Sequence, residues 1–278
     1  MRNLLCANMF RLRASMTFWL IVAAMTILGI AMAWTRWNDT AGTGSSDNLF
    51  LACAGLIGLC QAVFCAWFLG VQRGERTMVN MVSVGRTRGA IYAANLLTAM
   101  LAGIVMCVAY FVTYFGGYML LAVLNGGQWT SVGGGMTAAG LALLVVSTLT
   151  LSLVYGALFT AVGMLCRTRA LAAIVAMLIA LVLLFVGFST LDMLSQPPTV
   201  LVMDNSTDGG SWVANPDYLE GNARVAVQLL TDLNPGGQSL QLNVGQGANL
   251  SLLPLYDLAV TALACGGGYV LFHRKDLQ

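Results

Sequence analysis

Charge is what this sequence has least of. Only 9% of its 278 residues are Asp, Glu, Lys or Arg, against about a quarter in soluble domains. With 58% hydrophobic residues and a mean hydropathy of +0.80, that scarcity excludes a water-exposed globular surface. The chain reads as an integral membrane protein, so its length says little about domain number. Lysine is nearly absent: Lys275 is the one in the chain, and no Gly-rich loop ends in Gly-Lys-Ser/Thr. The phosphate-cradling loop with which many ATPases hold their nucleotide is therefore missing. A single histidine, His273, in a basic tail leaves no Ser/His/Asp set and no Cys/His metal cluster. No paired intramembrane carboxylates point to an aspartyl protease. The expectation is a protein that is not an enzyme and binds no cofactor or metal of its own.

The seven cysteines do not read as a disulfide framework. Cys53, Cys60, Cys65, Cys107 and Cys265 lie inside apolar runs, Cys6 and Cys166 lie beside expected cytoplasmic ends, and the long polar segment 192–249 has none. Small apolar side chains in helices account for them.

What is present is a succession of long apolar runs. About 20 apolar residues cross a bilayer, and the runs predict six spans near residues 16–34, 49–71, 93–124, 136–165, 170–191 and 250–272. Residues 89–166 hold no charge at all and split at the turn-rich stretch Asn125 to Gly135. The third and fourth spans exceed the bilayer's need, which predicts tilt or extension beyond it. Ahead of the first span, residues 1–13 suit an amphipathic helix lying in the interface, with Leu4, Leu5, Met9 and Leu12 on one face. The plain alternative is a positive flank of that span. Trp34, Arg36 and Trp37 close the first run without a cleavage site, so it reads as a retained span rather than a signal peptide.

With both termini in the cytoplasm, Arg2, Arg11, Arg13, Arg73, Arg76, Arg86, Arg88, Arg167, Arg169, Arg274 and Lys275 fall inside, and Arg36 and Arg224 outside. That bias sets the expected topology. It leaves residues 192–249 as an extracellular segment. Within it, Asn215-Pro216 looks like a helix start, Asp217 and Glu220 suit the positive end of a helix dipole, and Asn234-Pro235-Gly236-Gly237 looks like a stop. Leu219, Ala223, Ala226, Leu230 and Leu233 would share an apolar face, which predicts a lid packed over the outer ends of spans five and six. Residues 196–212 read as loop with one short strand near 199–203.

Between the second and third spans lies a charged stretch, residues 75–88, which predicts a short cytoplasmic helix. Glu75-Arg76, then Thr77 to Val84, then Gly85-Arg86-Thr87-Arg88 and Ile91-Tyr92 resemble the coupling helix of type-2 ABC exporter permeases. The order of parts along the chain resembles that family too, and Asn234-Pro235-Gly236-Gly237-Gln238 resembles a segment seen in many of its members. Gly74 precedes the charged pair, where many members have Gly-Thr a few residues after it. The resemblance implies an all-α membrane protein with one permease domain, six transmembrane helices, an interfacial N-terminal helix, a coupling helix and a small extracellular helical segment. It implies two permease subunits, identical or related, joined to two ABC ATPase subunits that carry ATP and Mg. It also implies residence in a bacterial plasma membrane and export of an amphipathic substrate such as a drug, an antimicrobial peptide or a lipid, or an immunity role. The residues assigned to ATPase coupling on this basis are Glu75, Arg76, Asn80, Ser83, Gly85, Arg86, Arg88, Arg167 and Arg169. The bland reading of the same stretch is a basic loop on anionic headgroups, about 1 kcal/mol per Arg.

For a substrate pathway the candidates are Gln61, Phe64, Trp67, Phe185, Phe188 and Asp257. Asp257 is an intramembrane carboxylate, a functional suspect by type, unless Leu253-Pro254 places it at the interface. Gln61, Asn95 and Thr98 suit hydrogen bonds between helices, and Gly55, Gly58, Gly103, Gly156 and Gly163 suit close packing. Two further readings compete: a non-transporting sensor or immunity protein that binds a ligand through its extracellular segment, and an ion-coupled secondary transporter. Few buried charges and no internal repeat stand against the second of these.

Overall fold

All five prolines, Pro197, Pro198, Pro216, Pro235 and Pro254, fall in the last third of the chain, so nothing in the earlier apolar runs interrupts a helix. A computed structural model describes residues 2–38, 51–74, 82–125, 137–202, 211–244 and 249–274. Its elements are α1 (Arg2–Ala14), α2 (Met16–Asn38), α3 (Ala52–Gly74), α4 (Arg88–Leu124), α5 (Ala138–Leu165), α6 (Arg169–Ser195), β1 (Thr199–Val202), β2 (Ser211–Ala214), α7 (Gly221–Leu233), α8 (Pro235–Val244) and α9 (Leu253–Arg274). Six of the helices are long and apolar enough to cross a membrane. This is an all-α multi-pass membrane protein apart from one small hairpin.

Local chemistry sets where the spans begin. Thr87, Thr137 and Thr168 each accept, through the side-chain hydroxyl, the backbone N–H three residues on, from Ala90, Gly140 and Leu171. Such caps contribute about 1 kcal/mol each. The cap at Thr87 starts α4 at Arg88, five residues before the apolar run alone suggests.

Burial sorts the spans. In α3, 61% of the span is buried, against 22% in α2, α6 and α9. α3, α4 and α5 therefore form the centre, where Phe64, Tyr110, Tyr114, Tyr155 and Phe159 have no exposed surface worth the name. α2, α6 and α9 turn long apolar flanks outward, as lipid-facing helices do. Gly58, Gly103, Gly156 and Gly163 lie against Tyr155, Gln61, Met100 and Leu69, and Gly55 lies beside Asn243, the close packing their sequence positions predict.

The segment between α6 and α9 departs most from expectation. The strand near residue 199 is present, but it pairs with a second strand, Thr199 opposite Ala214 and Val202 opposite Ser211. Asn215 does not start a helix: its Oδ1 accepts from the Asp217 N–H and its Nδ2 donates to the Pro197 carbonyl, which closes a turn. α7 begins only at Gly221, whose φ of +56° is left-handed, so Asp217 and Glu220 lie ahead of the helix. Asn234-Pro235 ends α7 and at once opens α8. The Asn234 side chain accepts from the Gly236 N–H, and Pro235 takes the first helical position, where its missing N–H costs nothing.

The expected lid is also corrected. Leu230 is 52% exposed and Leu233 39%, and Leu219 is only half-buried, so the apolar face of α7 turns away from the bundle. The buried element is α8. Pro235 through Ser239 are all buried, and α8 lies against α6 and α3. A Cβ on Gly236 would overlap the Leu183 carbonyl, and one on Gly187 would overlap the Gly237 backbone. The two helices touch main chain to main chain, which only glycine permits.

Candidate functional site

The arginine-rich end of the bundle gathers the ends of six helices. Asn8 of α1, Gln72 of α3 and Asn95 of α4 are 5%, 0% and 1% exposed. Asn8 Nδ2 donates to Asn95 Oδ1 at 2.9 Å, Gln72 Nε2 donates to the same oxygen at 2.9 Å, and Asn95 Nδ2 returns a bond to Gln72 Oε1 at 3.0 Å. Asn95 also approaches Met164 Sδ of α5 at 3.7 Å. This neutral knot fastens α1 to α3 just before residues 75–87 and to α4 just after them. Asn8 is legible in retrospect: it is a polar residue in the stripe formed by Leu4, Leu5 and Leu12.

Around the knot, Arg88 Nη1 donates to the carbonyl of His273 at 3.0 Å, a cation placed where the α9 C-terminus is negative. The Arg169 guanidinium lies 4.7 Å from the centre of the Trp67 ring, and Arg11 lies 5.3 Å from that of Phe68, both cation–π contacts. Of the residues assigned to coupling, Ser83, Gly85, Arg86 and Arg167 are exposed, and Gly85 sits at φ +85° in a turn closed by its N–H on the Val82 carbonyl. Glu75, Arg76 and Asn80 lie outside the described residues. Arg169 is held on Trp67, so its ring contact accounts for it in part.

The pathway candidates do not form one site. Phe64 is fully buried, stacked on Phe68 and edge-on to Phe18. Gln61 is fully buried and donates to the carbonyls of Ala99 and Ser152. Thr98 bonds its own helix at the Ala94 carbonyl rather than a neighbour, which corrects its expected role. Phe185 and Phe188 are 72% and 65% exposed and line an open groove of about 740 Å³ with Leu28, Met32, Leu59 and Asn243. Its walls are α2, α3, α6 and α8, almost wholly apolar.

The opposite end holds the polar residues that the sequence hid. Asp232, at the end of α7, is fully buried. Its Oδ1 accepts from Gln228 Nε2 at 2.7 Å and Gln241 Nε2 at 3.0 Å, its Oδ2 from Asn249 Nδ2 at 2.8 Å, and its backbone carbonyl from Gln238 Nε2. Asn234 Nδ2 donates to the Leu183 carbonyl of α6, and Tyr155 of α5 shares a bond with Ser239 of α8 at 3.1 Å. Asp257, in the second turn of α9, is 1% exposed and accepts from Thr150 of α5 at 2.6 Å. The helix does start at Leu253, and neighbouring helices cover the carboxyl within the protein; two fully buried carboxylates weaken the argument that the bundle lacks charge. Among the described residues, no group of three His, Cys, Asp or Glu could hold a metal ion.

Compared with known families and with characterised proteins, the chain matches no family model and no curated protein. The class that can be stated is thus the one the fold defines, a multi-pass helical membrane protein.

Proposed function

We propose that this chain is the transmembrane permease subunit of an ATP-driven exporter. In this reading both termini lie in the cytoplasm of a bacterial plasma membrane, and residues 75–88 dock on a separate ABC ATPase. What supports it is the amide knot of Asn8, Gln72 and Asn95, which binds the interfacial helix and both flanks of the charged stretch into one body. Force applied to residues 75–88 then passes into α1, α3 and α4 together. The groove lined by Phe185 and Phe188 offers an amphipathic substrate an apolar wall open to the lipid side. Two permeases and two ATPases complete the assembly, and ATP with Mg resides on the ATPases. Affinity purification of the full chain from its native membrane tests the proposal: an ABC ATPase should co-purify, and Glu75→Lys or Arg76→Glu should release it while leaving membrane insertion intact. Recovery of the chain without an ATPase, or equal recovery with both variants, overturns it.

A second reading, an ion-coupled secondary transporter, is favoured by one observation, the buried carboxylate of Asp257. Transport that follows an ion gradient in vesicles without ATP would select it.

A further inference from the structure

At the arginine-rich end, α3 and α6 meet where Gly70 lies against Arg169. A Cβ on Gly70 would fall 2.7 Å from Cγ and 3.0 Å from Cβ of Arg169, so the arginine stem rests on α3 where glycine leaves room for it. One turn back on α3, the Trp67 ring receives the guanidinium, 4.7 Å from its centre. Stem and head are both seated, which fixes the position of the cation. Arg169 is nevertheless exposed, as is Arg167 two residues before it. Among the described residues, none accepts a hydrogen bond from either guanidinium. The planar fork of N–H donors that each presents suits a phosphate.

Charge, depth and continuity all point to a phospholipid as the carrier of that phosphate. The described acids, Asp192, Asp217, Glu220, Asp232 and Asp257, lie toward the other end of the bundle, so none of them competes for this cation. Trp67 is 48% exposed, and Trp19, whose Nε1 donates to the Arg13 carbonyl, is 54% exposed. Outward-facing tryptophans near one end of a bundle mark the level of the lipid headgroups. Below Trp67 on α3, exposed Val63 and Leu56 continue its stripe. Leu56 in turn lines the open groove with Leu181 and Leu184 of α6. The eleven residues from Leu56 to Trp67 rise about 16 Å, close to the ~15 Å of hydrocarbon in one leaflet. Ala173, one turn below Arg169 on α6, is exposed and offers only a methyl, which leaves the seam between the helices open.

We propose that an anionic phospholipid binds along the seam between α3 and α6. Its phosphate sits on the Arg169 guanidinium, and one acyl chain runs past Val63 and Leu56 into the groove at Leu181 and Leu184. Arg167 adds to the local positive field. A zwitterionic lipid brings its own cation to an end already rich in arginine and binds there less well. The site stands on the seating of one arginine and on the apolar strip below it, and holds whichever transport reading is right.

The test is native mass spectrometry of the purified full chain in detergent, titrated with phosphatidylglycerol and with phosphatidylcholine of the same long chains. The wild type should hold phosphatidylglycerol several-fold better. Arg169→Gln keeps a stem against Gly70 but removes the cation, and should bring the two lipids close to parity. Trp67→Leu takes away the seat of the guanidinium. It should cut the preference several-fold as well, and this arm serves if the glutamine variant does not fold. Arg274→Gln, which changes an exposed arginine of the same end outside the seam, should keep the wild-type preference. Dioctanoyl phosphatidylglycerol, whose chains end short of the groove, should bind several-fold more weakly than the long-chain form, and inorganic phosphate should not displace the lipid. Equal binding of the two headgroups by the wild type, or a loss in Arg274→Gln as large as in Arg169→Gln, overturns the proposal in favour of a diffuse basic surface. Displacement by inorganic phosphate, or equal binding of short and long chains, leaves an anion site without a lipid and overturns it as well.

Discussion

At the arginine-rich end, three amide side chains from α1, α3 and α4 bond one another and carry no charge. At the far end, a carboxylate at the tip of α7 is wrapped by amides from α7, from α8 and from the residue just before the turn at 250–252, with a second carboxylate close by. Both ends bury polar groups among apolar helices. The first joins the thirteen-residue α1 to two long helices, α3 and α4, that each stand in a membrane on their own account. The second holds α8, ten residues long, which is buried through its glycine contact with α6, the core residue Leu242 and the polar partners of Gln238, Ser239 and Gln241. Amides in the knot fix α1 against two helices, α3 and α4, that are already committed. Amides around Asp232 tie α7, α8 and the residue before the last span to one carboxylate.

That contrast orders the expected effects of substitution. Asp232→Leu strands the N–H groups of Gln228, Gln241 and Asn249 without an acceptor. At about 1–3 kcal/mol for each unmet donor, the expected loss is on the order of 3–5 kcal/mol by denaturation in mixed micelles, with α8 becoming accessible to exchange. A loss below about 1 kcal/mol would mean that the far end is not built around this carboxylate. Asn95→Leu removes the shared acceptor of the knot. Hydrogen bonds between membrane helices are worth about 0.6 kcal/mol on average, so the loss should be about 1–2 kcal/mol, with the α1 amides exchanging faster and the far end unchanged. Equal loosening of both ends would dissolve the distinction. Leu230→Asp should have the smallest effect, within about 0.5 kcal/mol for the isolated chain, because this side chain stands exposed on the outward face of α7. A large loss would restore the idea of a lid.

The sequence made the long helices easy to read, because a run of apolar residues has few other stable arrangements in a bilayer. Their ends were harder. The start of α4 depends on the Thr87 cap, which an apolar run does not announce. α8 was not legible, since Asn-Pro-Gly-Gly is the composition of a turn. Its glycines serve a backbone crossing with α6, which can be seen only when both helices are in place. The lid failed for a related reason: the apolar stripe on α7 is real, but nothing in a single helix says which way the stripe faces. Among candidate residues, Phe185 and Phe188 share a groove, while Phe64 and Gln61 are spent on packing and on backbone carbonyls. A buried aromatic and a groove-lining one look alike in a sequence.

The bond from Asn249 to Asp232 has a consequence for the order of assembly. Asp232 emerges from the ribosome seventeen residues before Asn249, and α9 follows directly. Until that stretch has been made, the carboxylate lacks one of its three amide partners, and Asp257 has not yet joined Thr150. The far end therefore closes last, as a clasp on a bundle whose first five spans are already in the membrane. A chain cut short before residue 249 would carry those spans and still leave the clasp open, a distinct target for quality-control proteases.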